Sequence, residues 1–218
     1  MLLAAGEGKR LGTPKALVEL GGRRLVDRGA DLLREGGTAP VLVVTGAVPV
    51  SVPGVTVVPN PDWRTGMGSS LAAGLRALLA LGGDPLEPPL PTSPRDFVAR
   101  AGALPGDCAA AVIALVDQPL IGPEVVRRLV AAHRAGAELA VAAYGGRARN
   151  PVLLARGHWP GVLAAAEGDT GARPYLRAHP GLVTLVECAD IGRPDDVDTP
   201  EDLARVGALL AGPAEPPC

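Results

Sequence analysis

The chain has 218 residues, enough for one sizeable core, and its 21 Lys and Arg against 23 Asp and Glu leave a net charge of −2. That balance excludes an overall basic footprint for nucleic acid, and no apolar run reaches the roughly eighteen residues that span a bilayer. Cys108, Cys188 and Cys218 lack metal-ligand spacing and are odd in number, which argues against a disulfide framework; with no signal-peptide pattern, a cytoplasmic protein is expected.

The chain opens on Leu3-Ala4-Ala5, an apolar strand end, and runs into a loop with glycines at positions 6, 8 and 12. Only Met1 and Leu2 precede it, fewer than the about five or six residues usual in a buried strand, so the natural start is expected upstream. Glycine lets backbone N–H groups turn onto an anion, and Arg10 and Lys15 within the loop add full charge. The pattern suits a triphosphate cradle; taken alone, it also suits a solvated turn. The Walker spacing is absent, because Lys15 follows Pro14 and precedes Ala16. The dinucleotide pattern fails too, because Gly6, Gly8 and Gly12 are differently spaced.

Further strands are expected at 41–44, 55–58, 109–116, 139–143, 152–154 and 182–186. Amphipathic segments at about 24–35, 69–81, 123–135, 158–166, 171–178 and 200–210 read as helices. Pro123 and Pro200 suit first helical positions, and Thr199 suits a cap. The alternation predicts a single doubly wound, Rossmann-like α/β domain over 1–211, its mainly parallel sheet covered by helices on both faces. Residues 82–107, with six prolines, read as a surface insertion, and 212–218 as a flexible tail.

Asp117 follows the apolar run at 109–116, where ligands of open α/β sheets sit, and suits either Mg²⁺ or capping of the loop before Pro119. Asp195, Asp196, Glu201 and Asp202 read as acids favoured by a helix N-terminus. In Gly66-Met67-Gly68-Ser69-Ser70 the glycines permit close approach, and the serines open a helix whose free N–H groups suit either a nucleotide or simple capping. Arg173 opens a helix against its dipole, which hints at an anionic partner. His133, His158 and His179 share no spacing and read as core or surface histidines.

The string Leu3-Ala4-Ala5-Gly6-x-Gly8-x-Arg10-x-Gly12-x-Pro14-Lys15 resembles the opening of the MobA-like NTP transferases of molybdenum cofactor biosynthesis. Three other stretches, Asn60 to Leu71, Asn150-Pro151-Val152-Leu153-Leu154 and Gly168-Asp169-Thr170-Gly171-Ala172-Arg173, resemble the cytidylyltransferases of that family, and Asp196-Val197-Asp198-Thr199-Pro200-Glu201-Asp202-Leu203 resembles the stretch that closes the family's catalytic domain. Arg149 departs from the glycine the family carries before Asn150. The resemblance implies catalytic roles for Arg10, Lys15 and Asp117. It implies a nucleotide site built from Leu3, Ala4, Ala5, Gly6, Gly8, Arg10, Gly12, Lys15, Gly68, Ser69, Ser70 and Asp117. Mg²⁺ would be held by Asp117 and Asp198, and the acceptor by Asn150, Asp169 and Arg173. The implied substrates are CTP and the phosphate of molybdopterin, with a molybdenum hydroxylase as a further partner. A transferase for another phosphorylated acceptor, such as a sugar phosphate or isoprenoid precursor, would use the same loop, and a non-turning-over delivery protein is the other alternative. A Cβ at Ala5, where the family's guanylyltransferases tend to carry glycine, narrows the pocket toward a pyrimidine.

Overall fold

A computed structural model describes residues 1–81 and 108–211. The expected insertion at 82–107 and tail at 212–218 lie outside the described residues. Nine strands are described: β1 (Leu2–Ala4), β2 (Glu19–Leu20), β3 (Arg23–Arg24), β4 (Leu42–Thr45), β5 (Thr56–Pro59), β6 (Ala110–Leu115), β7 (Leu139–Tyr144), β8 (Arg147–Ala155) and β9 (Val183–Glu187). The α-helices among these residues are α1 (Leu25–Glu35), α2 (Met67–Leu81), α3 (Pro123–Arg134), α4 (Trp159–Ala165), α5 (Arg173–Ala178) and α6 (Pro200–Ala211).

Seven strands form one sheet in the order β5-β4-β1-β6-β8-β7-β9. All neighbours run parallel except around β8, which is antiparallel to both β6 and β7. The reversal has a local cause. β7 and β8 are joined by Gly145 and Gly146 at φ +59° and +74°, and positive φ at both central positions is the tight hairpin geometry that glycine permits. The same device, Gly21-Gly22, closes the β2–β3 hairpin.

The inner strands β1, β4, β6 and β7 are apolar at nearly every position because helices cover both faces, whereas the edge strand β9 is mostly exposed. Successive side chains point to opposite faces, so each strand feeds two cores. Leu2, Val43, Val112 and Ala140 join one core with Leu25 and Leu33 of α1 and Leu129 of α3. Leu3, Val44, Ile113 and Val141 join the other, with Leu71 and Leu75 of α2 and Trp159 of α4. The expected doubly wound, mainly parallel architecture is therefore present.

Helix starts follow their sequence signals. Pro123 opens α3 after Gly122, and Glu124 meets the positive end of the helix dipole. Before α6, the Asp202 N–H donates to Thr199 Oγ1 at 3.2 Å and the Thr199 N–H donates back to Asp202 at 3.1 Å, a reciprocal cap. On the far side of the molecule His158 joins three elements. Its ring nitrogens lie 2.6 Å from Glu138 Oε2 and 2.9 Å from the Tyr175 hydroxyl, which locks α4 and α5 to the start of β7.

Candidate active site

The carboxyl ends of β1 and β6 meet at an open cleft of about 700 Å³. Beyond Ala5 the chain turns at Gly8, where φ is +63° and an added Cβ would lie 2.0 Å from the Thr13 carbonyl oxygen. Only glycine fits there. Gly12 also has a positive φ, +69°, but open space around it. Leu11 N–H closes the turn onto Gly8 O at 2.9 Å. Pro14 then starts a short 3₁₀ turn, Lys15–Leu17, pinned by the wholly buried Ala16. That pin aims Lys15 inward.

Lys15 meets two acids that lie 102 and 183 positions along the chain. Its ammonium donates to Asp117 Oδ2 at 2.6 Å and to Asp198 Oδ1 at 2.5 Å. Arg10 lies 2.8 Å from the other oxygen of Asp198. Lys15 and Asp117 are each only 18% exposed, whereas Arg10 is 67% exposed. Burial pushes the Lys15 pKa down, but Asp117 and Asp198 outweigh it, and the net shift is upward. Asp198 is held below the usual carboxylate range, chiefly by its bond from Lys15. Asp117 Oδ1 is buried and has no hydrogen-bond partner.

The two acids are tied together by backbone and side chain. Val197 N–H donates to Asp117 O at 2.8 Å, and buried Gln118 donates to Asp196 at 2.9 Å. Burial pushes the Asp196 carboxyl up, and Asp117 and Asp198 push it further, while the bond from Gln118 opposes them. Asp196 reads from sequence as a helix-terminus acid; in space it belongs to the support of the site. No sequence spacing signals that pairing.

A divalent cation fits these residues. Two carboxylates converge on one cationic atom, and one of their oxygens is buried without a partner. Mg²⁺ is commonly held by one or two carboxylates, with phosphate oxygens and water completing the shell. Among the described residues no group of three or more His, Cys, Asp or Glu forms a metal cage.

Of the other sequence-based positions, Leu3, Ala5, Gly6, Ser70 and Asp169 line the cleft. Ala4 is buried in the core of the opposite face. Gly12 and Ser69 do not line it, and the Ser69 hydroxyl accepts from Asn60 Nδ2 at 2.9 Å and faces the carbonyls of Gly66 at 2.8 Å and Asp62 at 3.0 Å, either of which can take its proton. Gly68 faces protein rather than open space: a Cβ there would meet the Glu167 nitrogen at 2.8 Å. At Gly66, where φ is +115°, a Cβ would meet the Gly168 carbonyl carbon at 2.3 Å. The close approach expected at these glycines is made by the chain's own 166–169 segment. Asp169 from that segment accepts the Met67 N–H at 3.3 Å at the start of α2. Asn150, on β8, and exposed Arg173, at the start of α5, lie outside the cleft lining. Trp63 and Arg64 do line it, with the Arg64 guanidinium 4.4 Å over the indole ring.

Known proteins share this framework. The model of the MobA-like NTP transferase domain matches residues 1–183. The nicotine blue oxidoreductase of Paenarthrobacter nicotinovorans is 35% identical, with 94% of each chain covered. A solved homologue of Mycobacterium tuberculosis Rv0371c, from Mycobacterium sp. strain JC1, is 26% identical at a TM-score of 0.69, covering 96% of this chain and 94% of that one. Rv0371c itself, solved in complex with manganese, is 24% identical at a TM-score of 0.64, covering 94% and 95%. No described helix is long and apolar enough to cross a membrane.

Proposed function

Because the chain belongs to the MobA-like NTP transferase family and is a nucleotidyltransferase of that family, we propose that it transfers CMP from CTP to the phosphate of molybdopterin or its molybdenum cofactor. The observation that carries the reading is the convergence of Lys15, Asp117 and Asp198 beside the Gly8 turn. An oxygen of the acceptor phosphate attacks the α-phosphorus in line, a new P–O bond forms, and the bond to the bridging oxygen of the β-phosphate breaks. Pyrophosphate leaves.

Positioning and charge neutralisation carry most of such a reaction, since no protein nucleophile is needed. Asp117 and Asp198 would hold the metal, proposed as Mg²⁺, which would supply positive charge to offset the charge that develops on the leaving group. Arg10 grips phosphate oxygens through its planar fork, and Lys15 acts as a point charge. Backbone N–H groups around Gly6 and Gly8 orient the triphosphate, and Ala5, on the cleft floor, narrows the space for the base. Ser70 and the start of α2 complete the nucleotide wall. On the acceptor side Asp169 lines the cleft, whereas Asn150 and Arg173 lie outside its lining and would meet the acceptor only where it extends beyond the cleft; the product would pass to a molybdenum hydroxylase. The solved complex of Rv0371c with manganese supports a divalent cation.

Pyrophosphate release with each of the four NTPs and a panel of phosphorylated acceptors tests this reading. CTP with the pterin phosphate should give the fastest release; turnover confined to a sugar phosphate or to GTP would reassign the substrates. A second reading follows from the 35% identical relative, which is named an oxidoreductase. Redox turnover of nicotine blue, unaffected by removing NTP and metal, would favour it.

A further inference from the structure

We propose that Lys15 is the resident counter-ion of the two-carboxylate site, and that a divalent cation enters only when a triphosphate draws the ammonium away. Metal and nucleotide then load as one unit. The proposal rests on the nucleotidyl-transfer reading and extends it to the order of loading.

The geometry makes Lys15 and a metal competitors for the same atoms. The ammonium binds one oxygen of Asp117 and one of Asp198, and Arg10 covers the second oxygen of Asp198. Only Asp117 Oδ1 is left, and a single carboxylate oxygen is a poor site for a hard cation that prefers several. The pair between Lys15 and Asp117 is shielded, with both side chains 18% exposed, so water screens it less than a surface bridge. Two aspartates, one lysine and one arginine sum to zero charge. A dication added without displacing either cation would leave those four groups with two positive charges in excess, which Asp196 nearby offsets only in part and a triphosphate arriving with it offsets fully.

The exchange asks little of the fold. Lysine carries its charge on a flexible four-carbon stem with three rotatable donors, so the ammonium can move while Ala16 keeps the turn in place. Arg10 stands on the glycine loop, two-thirds exposed, and can swing with it. The same two cations therefore neutralise carboxylates in the free protein and phosphates in the complex.

Binding of Mn²⁺ alone, followed by its paramagnetic resonance signal, tests the idea without turnover. Wild type should bind Mn²⁺ weakly, without saturating at low millimolar metal. Lys15→Gln should bind it at least about tenfold more tightly, equivalent to about 1.4 kcal/mol, and should lose that gain when Asp117→Ala is added. Lys15→Arg, which keeps the charge, should stay as weak as wild type. Mn²⁺ should also raise the Tm of Lys15→Gln more than that of wild type. Tight binding by wild type alone, or equal affinities for wild type and Lys15→Gln, would overturn the proposal while leaving the metal site standing. With CTP present, wild type should retain Mn²⁺ that Asp117→Ala does not. Equal uptake by those two proteins would instead remove the metal site, and the proposed function's use of it, altogether.

Discussion

Alanine placed in turn at Gly6, Gly12 and Gly8 should produce three different outcomes from one chemical change. At Gly6 no atom lies within 4 Å of the added Cβ and φ is not positive. There the lost freedom of the unfolded chain should stabilise the protein by about 0.4–1 kcal/mol. At Gly12 the space is open but φ is +69°, and a left-handed L-residue costs about 1–2 kcal/mol, for a net loss of about 1 kcal/mol. At Gly8 the same φ penalty is joined by a collision 2.0 Å from the Thr13 carbonyl oxygen, with the Lys15 nitrogen 3.2 Å away. Backbone cannot rotate aside as a side chain can, and overpacking adds about 1–3 kcal/mol to that net loss, so the total should reach about 2–4 kcal/mol. Relief of the collision also shifts the segment that aims Lys15, so kcat/KM for the NTP should fall further than stability alone explains. Urea denaturation of the three variants, with initial rates on NTP at a temperature where each is folded, measures both quantities. Gly8→Ala matching Gly6→Ala in stability and in KM would refute the account of the turn.

Asp117→Ala and Asp198→Ala should each nearly abolish turnover while circular dichroism shows a folded chain; wild-type-like, metal-dependent rates in both would remove them from the reaction. Ala5→Gly should move base preference partly toward GTP, by no more than the about 1–3 kcal/mol that one methyl group confers, read as the ratio of kcat/KM for CTP and GTP. A third outcome concerns pH. Glu187 is held below the usual carboxylate range by bonds from the N–H groups of Gly146, Ala189 and Gly145. A carboxyl whose folded pKa is depressed stabilises above its unfolded pKa and loses that contribution as pH falls through the folded value. Glu187→Gln should therefore be less stable than wild type near neutrality, with the gap closing below about pH 4; a gap constant down to pH 3 would contradict the assignment.

Most of the architecture was legible because helices on both faces force continuous apolar strands, and those runs stand out between amphipathic segments. The expected strands at 41–44 and 55–58 lie within a residue of β4 and β5, and the expected helix at 123–135 matches α3 to within one residue. What escaped was local turn chemistry. Gly21-Gly22 and Gly145-Gly146 each close a hairpin, and the second turns the three residues expected at 152–154 into the nine-residue β8, with its direction reversed. For the site, the string at the start of the chain pointed to Arg10 and Lys15, and strand-end logic pointed to Asp117. The contact of Lys15 with both acids is made by folding across most of the chain, which no spacing records. The bond between Gln118 and Asp196 is likewise a product of two loops meeting.

The docking of the 166–169 segment onto Gly66 and Gly68 ties together two walls that would otherwise be free to vary separately. The start of α2 forms part of the wall assigned to the nucleotide, and the segment from Glu167 to Asp169 leads into α5, on the side assigned to the acceptor. Because a single added methyl at either glycine would collide with backbone of that segment, neither wall can shift without carrying the other. On the proposed assignment, donor and acceptor specificities should therefore change together. A chimera that exchanges the stretch around residues 60–70 with a relative's should need that relative's 166–173 stretch as well, and a graft of either alone should lose the seating between them before it gains a new substrate.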